Sequence, residues 1–206
     1  MDSVKLIEVI RAIGSRIEEE KDFLTELDNV IGDGDHGINM ARGFRAVEEK
    51  LEGLEDKDIG TILKTAGMAL VSTVGGASGP LYGTAFMKAA MVMAGKTQID
   101  MDGFLSCMDE AIGGVKMRGK AQQGEKTMLD AMIPAQDAMR QASSHGAEVK
   151  AVFEAGVKAA REGVEYTKTI IATKGRASYV GERSIGHQDP GATSFTDILE
   201  TIAQNV

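Results

Sequence analysis

The chain has 206 residues, of which 43% are hydrophobic and 26% are charged, and its formal net charge at pH 7 is −8. A chain of this size can bury a core without disulfides, and its negative charge makes nucleic acid and an anionic membrane surface poor partners. Six Phe, three Tyr and no Trp are few aromatic residues for a β-sandwich, so the composition favours closely packed helices.

The N-terminal quarter of the chain shows helical periodicity interrupted by one acidic loop. Apolar residues at positions 7, 10, 13 and 17 predict a helix over residues 4–20. Residues 22–27 extend that helix or start a short second one. Asp28–Gly37 interleaves three glycines with acids, which predicts a loop. A further helix is expected over residues 38–51.

The second quarter contains two predicted helices and a break rich in small residues. Residues 58–74 place their apolar side chains on one helical face. The break covers Gly75–Gly83, and residues 84–94 are small and apolar, as in a buried helix. Asp100 or Asp102 is the predicted N-cap of a helix that runs to about residue 117.

The C-terminal half repeats this alternation of helices and glycine-rich segments. A second break at residues 118–124 precedes predicted helices over 126–142 and 146–172. The segment from residue 173 combines Tyr, Ile, Arg and a Pro-Gly turn, so we expect a packed lid rather than a disordered tail. A last short helix is expected over 197–203, capped by Ser194 or Thr196. The pattern predicts an all-α fold of seven or eight helices, antiparallel because their loops are short.

The cysteine content and the N-terminus predict a cytoplasmic location. Cys107 is the only cysteine and cannot form an intramolecular disulfide, so we expect a small buried side chain. The N-terminus lacks a basic region followed by an apolar run, and no apolar stretch approaches the roughly 20 residues that cross a bilayer.

The strongest candidate site is the acidic loop. Gly32 and Gly34 allow backbone angles that could bring Asp28, Asp33 and Asp35 together. Converging carboxylates repel one another unless a hard cation binds, and an oxygen-only ligand set favours Mg²⁺ or Ca²⁺, although His36 leaves Zn²⁺ open. Three carboxylates and a nucleoside diphosphate sum to about −6, which two Mg²⁺ ions offset better than one. The alternative interpretation is a solvated acidic turn.

Two glycine-rich breaks are candidate phosphate sites. Gly75–Gly83 presents backbone N–H groups and the Ser78 hydroxyl at the start of a helix, which suits a phosphate, but small residues also serve close helix packing. Gly119–Thr127 nearly spells a P-loop. Because Glu125 is inserted before Lys126 and no strand precedes the segment, we expect a nucleotide-contacting loop rather than a Walker motif.

The tail supplies the candidate cations. Arg176 or Arg183 could clamp phosphate oxygens and neutralise the charge of a transition state. The alternative is a structural arginine paired with a glutamate.

Four segments, taken together and in order, resemble the nucleotide-binding L-subunit family of bacterial dihydroxyacetone kinases. They are GDGDHGINMARGF, GGASGPLYGTAF, GEKTMLDAM and GRASYVGERSIGHQDPGA. The resemblance implies a closed barrel of about eight antiparallel helices, with ADP or ATP bound at one end and two Mg²⁺ ions held by Asp28, Asp33 and Asp35. We take Arg176 as the catalytic residue, because its guanidinium would complete the phosphate cradle. The positions that match nucleotide contacts are His36, Gly37, Ile38, Asn39, Ala77, Ser78, Gly119, Met128, Arg176, Asp189, Pro190 and Gly191.

The same resemblance implies an activity and partners. One branch of the family uses exchangeable ATP in a single longer chain, and the other divides the work among subunits. A chain of 206 residues is filled by the nucleotide-binding domain, so the multisubunit branch fits better. There ADP stays bound, a phosphohistidine of the M subunit of the phosphotransferase system phosphorylates it, and the γ-phosphoryl passes to dihydroxyacetone on the K subunit. A transcription regulator is a further candidate partner, and a homodimer is expected.

Two other functions stay open at this stage. The chain could be the nucleotide domain of a kinase that uses exchangeable ATP on another substrate, such as a fatty acid carried by a separate protein. It could instead be a nucleotide-loaded module that regulates a partner without catalysing a reaction. Retention of ADP and its conversion to ATP on the protein would separate these functions.

Overall fold

Nine α-helices account for most of the chain in the structure, a computed structural model that describes residues 1–206. They are α1 (Ser3–Glu19), α2 (Lys21–Ile31), α3 (His36–Leu51), α4 (Ile59–Thr73), α5 (Ser78–Val92), α6 (Met101–Gly119), α7 (Leu129–Ser144), α8 (Val149–Thr167) and α9 (Pro190–Asn205), with a 3₁₀ segment, Arg176–Ser184, before α9. The only β-pairing is one isolated bridge, so the prediction of an all-α fold is confirmed. None of the helices combines the length and the apolar character that a membrane crossing needs.

Eight of these helices form a closed antiparallel ring. From α3 to α9 each helix packs against the next, and α1 packs against both α3 and α9, which closes the barrel. The short α2 is not part of the ring and packs against α3, α9 and the 3₁₀ segment. Because the ring helices alternate in direction, α3, α5, α7 and α9 all begin at the same end of the barrel.

The opposite end of the barrel is closed by bonds between loops. Ser3 Oγ donates a hydrogen bond to the Lys57 carbonyl oxygen at 2.6 Å, and the Ile59 N–H donates to the Lys96 carbonyl oxygen at 2.8 Å. The N-terminal amine donates to the Ile99 carbonyl oxygen at 2.9 Å. The hydrogen-bonding groups of the loops and of the N-terminus are thus paired with one another at this end of the barrel. The end at which α3, α5, α7 and α9 begin remains available for a ligand.

The core is one hydrophobic cluster inside the ring. The predicted apolar face of α1 is buried there through Ile7, Ile10, Ile13 and Ile17. The cluster contains a cavity of about 130 Å³ lined by hydrophobic residues of six ring helices and by Met1, Ile99 and Met128. Cys107 is buried beside it, as expected for a small apolar side chain, and burial raises the pKa of its thiol to about 11.

Several predicted helix boundaries were wrong, and the helix predicted over 146–172 ends at Thr167. The acidic loop covers only residues 32–35, because α2 continues through Asp28 to Ile31 and α3 begins at His36. α5 begins at Ser78, inside the predicted break, and Pro80 is tolerated since a first-turn N–H has no partner within the helix.

The last helix is much longer than predicted. α9 begins at Pro190 rather than at residue 197, and its N-cap is Asp189, whose Oδ2 accepts a hydrogen bond from the Ala192 N–H at 2.7 Å. An aspartate followed by proline is itself a helix-start signal. Ser194 and Thr196, the residues predicted to cap this helix, lie buried inside it.

The approach of α8 to α7 requires a glycine. A Cβ on Gly163 would lie 2.1 Å from the Asp130 carbonyl oxygen and 2.8 Å from Ala131 Cα, both backbone atoms of α7. We therefore expect Gly163→Ala to lower the free energy of unfolding, measured in urea, by about 2–3 kcal/mol through overpacking.

Gly113→Ala is the matched control. Gly113 is exposed on α6 and a Cβ there would meet nothing within 4 Å. The added methyl should stabilise the helix by about 0.5–1 kcal/mol. Equal effects of the two substitutions would contradict the close α7–α8 contact.

Candidate functional site

Three carboxylates meet at the junction of α2 and α3. Single ligand oxygens of Asp28, Asp33 and Asp35 all lie within 4.8 Å of one another. Asp28 is on the last turns of α2, and its Oδ2 accepts hydrogen bonds from the Asp35 N–H at 2.9 Å and the His36 N–H at 3.2 Å. This one carboxylate therefore both caps α3 and places the acidic loop against α2.

Glycines make this convergence sterically possible. Gly34 has a φ of +72°, a conformation that side chains disfavour, and a Cβ there would lie 1.9 Å from Asn29 Oδ1. Gly32 has no room for a side chain either, because its Cβ would lie 2.0 Å from Asp28 Oδ1. The convergence predicted from these two glycines is thus present in the fold.

We call Asp28, Asp33 and Asp35 the acidic trio. The cation nearest to them is Arg176. Its Nε lies 2.8 Å from Asp33 Oδ2, at the start of the 3₁₀ segment. The pair is partly exposed, with 62% of the arginine side chain accessible, so it adds little stability by itself. The ion pair matters because it brings a guanidinium from a distant part of the chain to the three carboxylates.

A cavity of about 490 Å³ opens beside the acidic trio. Loops at the N-terminal ends of α3, α5, α7 and α9 surround it, together with the C-terminal end of α6 and the segment that begins at Lys174. Most residues selected from the sequence line this cavity: Asp28, Asp33, Asp35, His36, Ala77, Ser78, Gly119, Met128, Arg176, Asp189, Pro190 and Gly191.

Three selected residues do not line the cavity. Gly37 is buried against α2, where a Cβ would lie 2.0 Å from the Lys21 carbonyl oxygen, so it serves packing. Ile38 is 51% exposed on the outer side of α3. Asn39 is buried beside Gly75, and its Nδ2 has no hydrogen-bond partner although its Oδ1 accepts from Arg42 Nη2.

A buried polar network forms the floor of the cavity. The ring nitrogens of His36 lie 2.9 Å from Ser78 Oγ and 2.9 Å from Ser194 Oγ. Ser194 Oγ lies 2.7 Å from the Tyr82 hydroxyl, which donates to the Gly191 carbonyl oxygen at 3.3 Å. The network therefore ties α3, α5 and α9 together directly beneath the acidic trio.

Burial controls the charge of this floor. It lowers the pKa of His36 to about 4, against the opposing effect of Asp28 and Asp35, so the imidazole is neutral at pH 7. Burial also raises the pKa of Asp189 to about 7 and raises that of Tyr82 further above its ordinary value. The imidazole on this floor thus adds no positive charge beside the acidic trio at pH 7.

Two members of the network were not predicted from the sequence. Tyr82 lies in the middle of a selected segment but was not assigned a role, and Ser194 was taken for a helix cap. No local signal identifies either residue, because both act across helices that are distant in sequence. Lys126, the near-P-loop lysine, lines the cavity wall, but its ammonium is bound by backbone carbonyls rather than directed to the opening.

The chain matches the family model described as the DAK2 domain over residues 30–204. It is 44% identical to the PEP-dependent dihydroxyacetone kinase, ADP-binding subunit DhaL, of Escherichia coli (strain K12), over 98% of this chain and 97% of that protein. The PTS-dependent counterpart from Lactococcus lactis is 40% identical over 97% of this chain and 96% of that subunit. Human triokinase/FMN cyclase is 32% identical, and the chain spans 35% of its length.

Solved structures show the same fold. The dihydroxyacetone kinase of C. freundii aligns with a TM-score of 0.77 and 22% identity, over 100% of this chain and 35% of that one. A second structure of that kinase, in complex with AMP-PNP and Mg²⁺, aligns with a TM-score of 0.72 and 21% identity over 97% of this chain and 33% of that one. This chain therefore spans about a third of the C. freundii protein.

Removing the hydroxyl of Ser194 tests the polar floor. Ser194 is fully buried, and Ser194→Ala would leave His36 Nε2 without a partner and remove one of the two hydrogen bonds of the Tyr82 hydroxyl. We expect a loss of about 2–4 kcal/mol in the free energy of unfolding, because unpaired buried polar groups are costly. Ser106→Ala removes an exposed hydroxyl that bonds only the Asp102 carbonyl and should change stability by less than about 0.5 kcal/mol. A Ser194→Ala protein as stable as this control would contradict the network.

Proposed function

The chain belongs to the DAK2 domain family, alongside the ADP-binding subunits of dihydroxyacetone kinases, and from that premise we propose that it is the nucleotide-binding subunit of such a kinase. Residues 1–206 then form one nucleotide-binding domain. Bound ADP is phosphorylated by a phosphohistidine on an M subunit, and the resulting ATP gives its γ-phosphoryl to dihydroxyacetone on a K subunit. The protein supplies the nucleotide site, and its partners supply the phosphoryl donor and acceptor.

The observation that carries this proposal is the convergence of three carboxylates with several helix N-termini. Asp28, Asp33 and Asp35 face a cavity on which α3, α5 and α9 begin. Free N–H groups and the positive ends of helix dipoles favour phosphate there, while carboxylates favour cations. Only a ligand that is itself anionic and accompanied by cations, as a metal-bound diphosphate is, satisfies both features.

The donor set fits magnesium. All three acidic side chains offer oxygen, the ligand atom that Mg²⁺ prefers, and no cysteine lies nearby. Asp28 uses its Oδ2 to cap α3, which leaves Oδ1 for a metal. Asp28, Asp33 and Asp35 would hold two Mg²⁺ ions, which supply charge neutralisation at the phosphate oxygens. His36 is excluded as a ligand in this arrangement because both ring nitrogens are bound to serines.

Arg176 and the helix ends would complete the phosphate site. The Arg176 guanidinium stands beside Asp33, close enough to contact a diphosphate held by the trio. A planar guanidinium stabilises the charge that develops on a transferring phosphoryl group, which supports the catalytic assignment. Backbone N–H groups at Ala77 and Ser78 face the same space at the start of α5. The chain presents no nucleophile of its own here, so the nucleotide is first acceptor and then donor.

One part of the cavity wall is apolar and suits a nucleobase. Leu81 and Val115 line it from α5 and α6, and Ala121 and Met128 line it from the loop between α6 and α7. A flat aromatic ring buries well against such side chains, while the phosphates remain at the polar side. The division of the cavity into an acidic and an apolar part therefore matches the two ends of ADP.

Sequence identity favours the multisubunit branch of the family over the single-chain branch. Identity is 40–44% with the separate ADP-binding subunits cited above and 32% with the longer human triokinase/FMN cyclase. The K and M subunits are therefore the proposed partners. A transcription regulator, a homodimer and a cytoplasmic location remain predictions.

Retention of the nucleotide is the first test. We expect the purified protein, freed of unbound nucleotide, to carry ADP, because metal-bridged phosphates dissociate slowly from a site with this charge pattern. Incubation with the phosphohistidine form of the donor subunit should convert that ADP to ATP on the protein, detected by chromatography after acid release. Absence of both ADP and conversion would reject the coenzyme function, whereas rapid exchange with added ATP would favour a kinase that uses exchangeable nucleotide.

A charge-removing substitution tests the metal site. Asp33→Asn keeps the size of the side chain but removes a ligand charge, so we expect Mg²⁺·ADP to bind at least about tenfold more weakly by calorimetry. The melting temperature of the nucleotide-free protein should change little, since the carboxylate of Asp33 is partly exposed. Chelation of Mg²⁺ should release ADP from the wild-type protein.

Asp56→Asn is the matched control for this prediction. Asp56 is exposed in the loop between α3 and α4, at the closed end of the barrel, and makes no ion pair. The same change in net charge there should leave ADP affinity unchanged. If Asp33→Asn instead unfolds the protein while its remaining folded fraction keeps ADP, the assignment of Asp33 as a metal ligand is wrong.

A further inference from the structure

Lys126 is buried to a degree that is unusual for a lysine. Only 1% of the residue is exposed, and it adopts a positive φ of 60°, which side chains other than glycine disfavour. It stands in the loop before α7, on the wall of the candidate nucleotide cavity. A buried ammonium and a strained backbone persist only where the surroundings compensate for both.

The compensation comes from four backbone carbonyls. Lys126 Nζ donates to the Thr167 oxygen at 2.5 Å, the Ser184 oxygen at 2.8 Å and the His187 oxygen at 2.5 Å, and lies 3.4 Å from the Ile170 oxygen. Thr167 ends α8, where the helix dipole is negative and favours a cation. We call this arrangement the carbonyl clamp.

The carbonyl clamp joins both ends of one segment. Thr167 and Ile170 precede the residues that carry Arg176, whereas Ser184 and His187 follow them and lead to Asp189. A single ammonium thus closes a loop of the chain between α8 and α9. Within that loop the Gly186 N–H donates to the Lys168 carbonyl oxygen at 2.7 Å, which supports the same closure.

The lysine is itself fixed to the barrel. Asp130, on the first turn of α7, is fully buried, and its two oxygens accept from the Gly124 N–H at 2.5 Å and the Thr127 N–H at 2.8 Å. These bonds hold the residues on either side of Lys126. The carbonyl clamp is therefore connected to α7 through Lys126.

Lys126 has no donor left for a ligand. An ammonium has three N–H bonds, and three carbonyls already lie within 2.8 Å of it. Arg176, in contrast, is exposed, and the only side-chain contact that orders it is the ion pair with Asp33. The location of its backbone is consequently set by the segment that the carbonyl clamp closes, together with the packing of that segment against α2 and the bond from the Thr173 N–H to the Glu125 carbonyl oxygen.

We propose that Lys126 is a positioning residue: through the carbonyl clamp it sets the segment from Thr167 to Asp189 so that Arg176 and Asp189 face the nucleotide cavity. Its effect on the ligand rests on the proposed function, whereas its effect on the segment does not. Lys126 acts without touching the nucleotide. This role differs from that of a P-loop lysine, which contacts phosphate directly.

Hydrogen exchange on the nucleotide-free protein tests the segment alone. Lys126→Met keeps the length of the side chain and removes the ammonium, and Lys158→Met makes the same change at an exposed site on α8. We expect at least tenfold faster exchange in Lys126→Met at the amides of Ala172, Gly186 and Asp189, which bond within the clamped segment. Exchange in α4 and α5 should be unchanged, as in Lys158→Met. Faster exchange throughout the chain, or unchanged exchange at these three amides, would overturn the proposal.

Binding of Mg²⁺·ADP tests the consequence for the site. Under conditions where near-UV circular dichroism shows Lys126→Met to be folded, we expect its ADP affinity to fall at least tenfold, with Lys158→Met equal to wild type. Weaker binding without faster exchange in the segment would show that Lys126 contacts the ligand, and unchanged binding would show a purely structural role. Either result overturns positioning. Failure of the wild-type protein to bind ADP would instead reject the proposed function. The exchange result would still show whether the carbonyl clamp orders the segment.

Chemical rescue separates charge from shape. Lys126→Gly suits the positive φ and leaves a channel for a small additive. n-Butylammonium should restore slow exchange in the segment and ADP affinity, whereas n-butanol, of similar size but uncharged, should not. Equal effects of the two additives would overturn the role of the ammonium. If Lys126→Met and Lys126→Gly both fail to fold and n-butylammonium does not restore folding, the lysine serves the whole barrel and the proposal is wrong.

Discussion

Closure of the helical ring between α1 and α9 is the constraint on which the rest of the structure depends. α9 returns antiparallel to α1, with Ile198 and Leu199 in the core and Arg16 Nη2 3.1 Å from Asp197 Oδ1. Because every ring helix is antiparallel to its neighbours, α3, α5, α7 and α9 must all begin at one end. Their free N–H groups gather there, and an acidic protein acquires a region that favours phosphate.

The acidic trio and the helix ends are complementary rather than contradictory. Carboxylates so close together need cations, and helix N-termini need anions. Asp28 already satisfies part of both requirements, since one of its oxygens binds the first N–H groups of α3. A metal-bound diphosphate would satisfy the remainder. The site is therefore built from backbone geometry as much as from side-chain chemistry.

The buried side chains of His36 and Lys126 have partners that do not belong to the acidic trio. His36 is neutral because it is buried between two serines, and the buried Lys126 ammonium is bound by carbonyls instead of by a carboxylate. Neither group competes with the ligand for Asp28, Asp33 or Asp35. The interior polar groups thus fix the positions of loops, and the exposed ones remain free for binding and chemistry.

The sequence by itself determined the all-α class, the apolar face of α1, the acidic loop and most residues of the cavity, because periodicity and glycine spacing act over a few neighbouring residues. The end of α2 at Ile31 and the starts of α5 at Ser78 and α9 at Pro190 were misplaced, because a cap or a cross-helix bond outweighed local glycine content. Only the tertiary structure decided that Tyr82 and Ser194 support the site and that Lys126 turns away from it. Their partners lie tens of residues away in the chain, and no local pattern records which backbone carbonyls or hydroxyls a closed barrel will bring together.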